Sequence, residues 1–292
     1  MSRVFELLEK TSRTFALSIP LLPSALAHDV ALAYLLFRIA DTIEDTPHHT
    51  SEEKRAALGR LIVQMRAFEP ATEPVLPEPV VDSADDLELL ESSEFVLAEL
   101  HQLSADKREA ITRHVERSAV GMASFLTDDS NPRELIRIES LSRLRDYCYA
   151  VAGIVGEMLV DLFLIEDSRL ESKQAELNRL ARYFGEGLQL VNILKDQDGD
   201  ADDGRFFVPQ QVPRSELFDL ARSDLRLAED FTEILITANT DVGVIRFCQL
   251  PVRLAFATLD QVEIHGSGTK IGRKHVFQII QSVLEPTGSM NS

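Results

Sequence analysis

Two pairs of aspartates, Asp41 with Asp45 and Asp196 with Asp200, are each spaced by four residues. On an α-helix four residues advance about 400°, so the members of each pair stand one turn apart on the same face. Arg38 and Tyr34 extend the first stripe, and Gln189 and Asn192 extend the second. Carboxylates placed this way repel one another. At a helix C-terminus they also face the negative end of the macrodipole, at ~0.3–1 kcal/mol per acid. A divalent cation removes both costs, and hard oxygen ligands on a rigid face suit magnesium, whose octahedron water and phosphate oxygens complete. Spacing alone leaves a plainer alternative open, namely helix ends that simply reach solvent. The run Asp196-Gln197-Asp198-Gly199-Asp200 also opens like a calcium loop of the EF-hand kind. Its sixth position is Ala201 rather than Gly and its twelfth is Phe207 rather than Glu, which argues against that geometry.

The elements that must carry these acids read as helices. Apolar residues recur at helical period over 3–20, from Ser24 to Asp45, and over 51–68, 93–103, 105–126, 139–165, 171–200, 214–239, 241–264 and 272–284. The helix from Ser24 carries the apolar run Val30 to Ala40 and is expected to stop before Pro47. Residues 69–91 bring Pro74, Pro77 and Pro79 with a cluster of acids and read as a solvated linker. The expectation is an all-α fold, one helical domain over 1–292 with a polar tail at 285–292. A long central helix ends in the second acidic pair.

Composition narrows the chemistry further. The chain is 45% hydrophobic with 7% aromatics, enough for a large core, and carries a formal charge of −18. That charge repels nucleic acid and anionic membrane surfaces alike. It would repel an anionic substrate as well, so handling a diphosphate would require a cation between carboxylate and phosphate. The two cysteines, Cys148 and Cys248, lie in apolar helical sequence and read as buried thiols rather than a disulfide framework. Residues 1–6 carry no apolar core of signal-peptide length, and no uncharged stretch approaches the ~18 residues of a membrane span, so a soluble cytoplasmic protein is expected.

Several blocks together resemble the squalene and phytoene synthases, which join two prenyl diphosphates head to head. The first runs from Ser12-Arg13-Thr14-Phe15 to Tyr34 and on through Arg38 to Asp41-Thr42-Ile43-Glu44-Asp45, wording closest to squalene synthase. The second, Tyr147 to Glu157, is similar to the family's pocket-lining helix; its Gly153 and Gly156 suit close approach of either a ligand or a neighbouring helix. The third and most specific runs from Gly187 through Gln189, Asn192, Lys195, Asp196 and Asp200 to Arg205 and Pro209. Phe247-Cys248-Gln249-Leu250-Pro251 and Lys270-Ile271-Gly272-Arg273-Lys274 resemble squalene synthase again. Two departures stand out. Ala150 occupies a position where squalene synthases usually carry tyrosine and some bacterial dehydrosqualene synthases a small residue. Lys195 replaces a usual arginine, which keeps the charge and loses the bidentate grip.

This resemblance implies a class I isoprenoid synthase-type helical bundle with a central cavity and a Mg2+-dependent condensation of two farnesyl diphosphates to presqualene diphosphate, continuing to squalene with NADPH. Asp41, Glu44, Asp45, Asn192, Asp196 and Asp200 would hold magnesium. Ser12, Arg13, Phe15, Arg38, Tyr147, Gln189, Asn192, Lys195 and Arg205 would bind substrate. Tyr149 would join the four aspartates in catalysis, Tyr147 or Tyr149 would partly replace the tyrosine missing at Ala150, and Lys270 with Arg273 would hold the cofactor phosphate. From the residues alone Lys270 and Arg273 read equally well as surface charges, and Phe15 as a packing residue. Dehydrosqualene or phytoene synthesis, arrest at presqualene diphosphate, and a catalytically silent interaction protein on the same fold are the alternatives at this level.

Overall fold

A computed structural model describes residues 2–46, 48–67, 73–77, 79–127 and 135–285. The expected helices appear with ends shifted by a few residues. The N-terminal segment is broken rather than continuous: α1 (Arg3–Thr11) ends, the Ser12 hydroxyl accepts from the Phe15 amide at 2.9 Å, and a short α2 (Phe15–Ser18) follows. α3 (Ser24–Asp45) then runs through the core. Its buried residues lie on nearly every side, from Leu26 to Glu44, as a central helix requires.

α4 (Ser51–Arg66) starts with a reciprocal capping box between Thr50 and Glu53. The stretch read as a linker contains a helix instead. α5 (Ala84–Glu91) is capped by Ser83, whose hydroxyl accepts from the Asp86 amide, and the two acids of its first turn complement the helix dipole. Residue 68 at the end of the expected helix 51–68, residues 69–72 and Glu78 of that stretch, the expected stop at Pro47, and 286–292 of the expected polar tail lie outside the described residues.

α6 (Ser93–Gln102) and α7 (Ala105–Ala123) lead to α8 (Leu141–Cys148) and α9 (Ile154–Glu166). The last two were expected as one uninterrupted helix, but a π-turn at Tyr149–Gly153 joins them. α10 (Gln174–Asp202) has 29 residues and is about 43 Å long. It stays helical through both acids of the second pair, which disposes of the calcium-loop reading.

Gly204, at φ 80°, makes the turn that ends α10. Immediately after it, β2 (Arg205–Phe206) pairs in parallel with β1 (Ile136–Arg137), the one sheet among the described residues, and this pairing fixes where Arg205 sits. α11 (Arg214–Thr237), α12 (Val242–His265) and α13 (Arg273–Leu284) complete the chain.

One apolar cluster extends from Val4 to Val262, and a smaller one, around Leu250, Leu254 and Val283, lies under α13. Leu141–Glu166 and Val242–His265 are long and apolar enough to cross a membrane, but 56% of each such window is buried within the bundle, the pattern of core helices. Glycine lets the innermost helices touch. A Cβ on Gly156 would lie 1.9 Å from the Ala181 carbonyl oxygen, and one on Gly185 would lie 1.8 Å from that of Ala152. The glycine of the second block thus serves helix packing at Gly156.

Candidate active site

The C-terminal turns of α3 and α10 deliver the two aspartate pairs to one polar mouth of about 300 Å³, which also takes in Arg38, Tyr147, Gln189, Asn192, Arg205 and Phe207. Arg205 stands between the pairs. Its Nε is 3.8 Å from Asp45 Oδ1, while its Nη2 is 3.0 Å from Asp200 Oδ1 and 3.0 Å from Asp203 Oδ2. One guanidinium therefore reaches an acid of each pair.

The mouth adjoins a larger cavity of about 510 Å³. Arg38, Asp41, Gln189 and Asn192 line both. Beyond them the larger cavity is walled mainly by apolar side chains, including Phe37 of α3, Val155 and Leu159 of α9, Leu188 of α10, and Phe247 and Leu254 of α12. Pro251 also lines it. Proline inside a helix lacks the amide that would reach the Phe247 carbonyl, a local cost that an apolar cavity wall accommodates. The arrangement is a charged entrance on an apolar chamber.

Arg38 is held on two sides. Its Nη1 donates to Asp41 Oδ2 at 2.6 Å, and its Nε and Nη2 form a fork on Asp86 at 3.1 and 3.0 Å. Burial works against the cation, but Asp41 and Asp86 outweigh it and raise its pKa. Asp86 is the residue holding Arg38 that the sequence reading missed. Its signal was present in the Ser83-x-x-Asp86 capping pattern.

The acids carry the electrostatic cost of their crowding. Removal from water, with Asp41 beside it, pushes Asp45 up to about 7. Burial likewise raises Asp200, against the pull of Arg205. Among the described residues no three His, Cys, Asp or Glu side chains converge into a closed metal cage. What exists is an open set, two carboxylates per helix with the Asn192 amide beside them. That donor chemistry fits a hard divalent ion bound by one or two carboxylates and completed by phosphate and water.

Other predicted residues fall into place unevenly. Ser12, Arg13 and Phe15 line the chamber, with the Phe15 ring 5.6 Å from Tyr34. Tyr147 reaches the mouth, stacked on Phe207 at 4.8 Å. Glu44 does not reach it. It is 1% exposed, and its Oε2 accepts from the Tyr147 hydroxyl at 3.3 Å. Burial and then Asp45 raise its pKa well above its ordinary value, and it backs Tyr147 rather than standing among the carboxylates of the mouth.

Lys195 lines neither cavity, its ammonium lying 3.0 Å from Asp196 Oδ2 on the outer shoulder. Tyr149 also points elsewhere: its hydroxyl accepts from Arg117 at 2.6 Å and donates to Glu157 at 2.9 Å, behind the chamber wall. The π-turn inserts an extra residue into the helical phase, which brings Val151, Ala152 and Val155 inward instead. Ala150 faces α7, where a Cβ built on Gly121 would lie 2.7 Å from its own. Lys270 and Arg273 are exposed and line neither cavity. Cys148 and Cys248 are buried free thiols.

Fold and site together define a helical bundle of the class I isoprenoid synthase type, with paired acids at the entrance to a central cavity. The family model for squalene/phytoene synthase matches residues 8–235, and the chain belongs to that family. It is 29% identical to the squalene synthase of Schizosaccharomyces pombe over 306 residues, covering 95% of this chain and 64% of that protein. It is 28% identical to squalene synthase ERG9 of Saccharomyces cerevisiae over 276 residues, covering 87% of this chain and 60% of that one. The chain thus spans less than two thirds of the length of either relative. Among solved structures it superposes on TcSQS in complex with the ligand E5700 at a TM-score of 0.77 and 23% identity, over 97% of this chain and 85% of that one. A dehydrosqualene synthase in complex with ligand superposes at a TM-score of 0.64 and 20% identity, over 96% and 93%.

Proposed function

We propose that this protein condenses two farnesyl diphosphates head to head, with Mg2+, to presqualene diphosphate. The observation that carries this reading is the junction at Arg38, Asp41, Gln189 and Asn192, where a mouth lined by four aspartates opens onto an apolar chamber. Such a boundary suits a molecule with a diphosphate at one end and a hydrocarbon chain at the other. Squalene synthase is also what the two yeast relatives are named.

Asp41 and Asp45 on one helix, and Asp196 and Asp200 with Asn192 on the other, would hold the magnesium. The metal supplies charge neutralisation for the departing diphosphate. Arg38 and Arg205, each already balanced between acids, would turn a fork toward phosphate oxygens, where bidentate geometry favours arginine. The chamber walls would keep water from the allylic cation as the carbon–oxygen bond opens. Tyr147, fixed by Phe207 and Glu44, would line the mouth beside the diphosphate.

Lys270 and Arg273 are exposed and line neither the mouth nor the chamber, so the reading stops at presqualene diphosphate. Incubating the protein with farnesyl diphosphate and Mg2+, with and without NADPH, and identifying products by mass spectrometry tests both parts. Consumption of substrate without NADPH is expected. No consumption under either condition would sink the enzymatic reading.

A further inference from the structure

We propose that the outer face of α13, with the basic connection before it, docks this protein onto an anionic phospholipid surface. The overall charge of −18 argues against any such contact, but charge acts locally, because screening confines it to ~8 Å at physiological salt. From Ile264 to Leu284 the chain carries Lys270, Arg273 and Lys274 and no acid. All three cations are exposed, and none has an ion-pair partner among the described residues. The nearest acids of α12, Asp260 and Glu263, are both engaged by Arg222.

Hydrophobic side chains accompany these cations. Arg273, Phe277 and Leu284 recur at helical spacing on one face of α13. Phe277 is 59% exposed and Leu284 41%, and Ile264 at the end of α12 is 70% exposed. The adjacent face, through Val276, Ile279, Ile280 and Val283, packs on Leu250 and Leu254. A helix with one anchored face and one outer face mixing cations with a phenylalanine has the make-up of an interfacial element. The Arg253 guanidinium donates to Ser282 and that of Arg246 to the Leu284 carbonyl, which fixes α13 alongside α12.

The position of this face gives it a purpose that rests on the function proposed above. Leu254 belongs both to the cluster under α13 and to the chamber wall, so α12 alone separates the chamber from α13, whose far side is the docking face. A protein that moves long hydrocarbon chains gains from bringing that wall to a lipid surface.

Co-sedimentation of the full chain with phosphatidylcholine vesicles, with and without phosphatidylglycerol, provides the test. Binding is expected to require phosphatidylglycerol and to weaken at high salt. Phe277→Ser combined with Leu284→Ser should weaken it by about tenfold or more, as expected when buried apolar side chains are lost. Lys274→Ala should weaken it about fivefold. Both sets replace exposed side chains, so circular dichroism and turnover of farnesyl diphosphate in solution should stay at wild-type values.

Absence of vesicle binding overturns the proposal, as does binding that neither set of substitutions alters. It is equally overturned if the wild-type chain is a dimer that Phe277→Ser dissociates, since a second copy then covers the face. NADPH binding that Lys274→Ala abolishes while vesicle binding persists assigns the patch to the cofactor and also overturns it. Vesicle binding without any turnover supports the surface while contradicting the condensation reading.

Discussion

Removing Asp86 tests whether the mouth is organised as described. Its carboxylate holds the Arg38 fork through two bonds, at 3.1 and 3.0 Å, on the side opposite Asp41. The side chains are 15% and 29% exposed. The pair therefore lies between an exposed ion pair, at ~0–1 kcal/mol, and buried hydrogen bonds to charge, at ~1.5–3 kcal/mol each. A coupling of about 2 kcal/mol follows from that intermediate setting. Asp86→Asn leaves intact the backbone amide that donates to Ser83, so α5 keeps its start. A double-mutant cycle of Asp86→Asn with Arg38→Gln, read by urea unfolding, isolates the coupling. With Asp86 neutralised, Arg38 turns fully onto Asp41, and the magnesium concentration needed for half-maximal turnover should rise several-fold. A coupling below about 0.5 kcal/mol, or an unchanged magnesium requirement, refutes this account of Arg38.

Four further outcomes are expected. Gly185→Ala places a Cβ 1.8 Å from a backbone oxygen and should lower stability by more than about 3 kcal/mol in chemical denaturation. Gly59→Ala, with nothing within 4 Å, should instead gain up to about 1 kcal/mol. Asp45 in the folded metal-free protein sits near 7. Between its ordinary carboxylate range and that value the folded state binds a proton that the unfolded chain has released, so this group lowers stability as pH rises through that window. Magnesium competes with the same proton, and the rise in melting temperature on adding Mg2+ should be larger at about pH 8 than at about pH 6. Tyr149→Phe should retain turnover, because the hydroxyl it removes serves Arg117 and Glu157 and not the chamber.

Much of the architecture was legible because helical period is a local property. α3, α10 and α12 carry their apolar faces openly in sequence, and four-residue spacing alone put each aspartate pair on one face. The failures have physical causes. Proline and acid content over 69–91 hid a capped helix at 84–91, since composition averages away a four-residue capping pattern. Tyr149 was placed in the site by its neighbours in the sequence, but the π-turn shifts the helical phase and turns it out of the chamber. Glu44 shares a helix turn with Asp41 and Asp45, yet lies on the face that α3 buries, and only the packing of Tyr147 reveals this. The close contact at Gly185 depends on two helices meeting, which no single segment records.

The central claim is that the two aspartate pairs act together at the entrance of one apolar chamber. Its most direct measurement is the rate of presqualene diphosphate formation from farnesyl diphosphate and Mg2+ by the wild-type chain, Asp41→Asn and Asp196→Asn, each with its fold checked by circular dichroism. The wild-type chain should turn over and both variants should lose activity while remaining folded. Full activity in either variant would contradict the account.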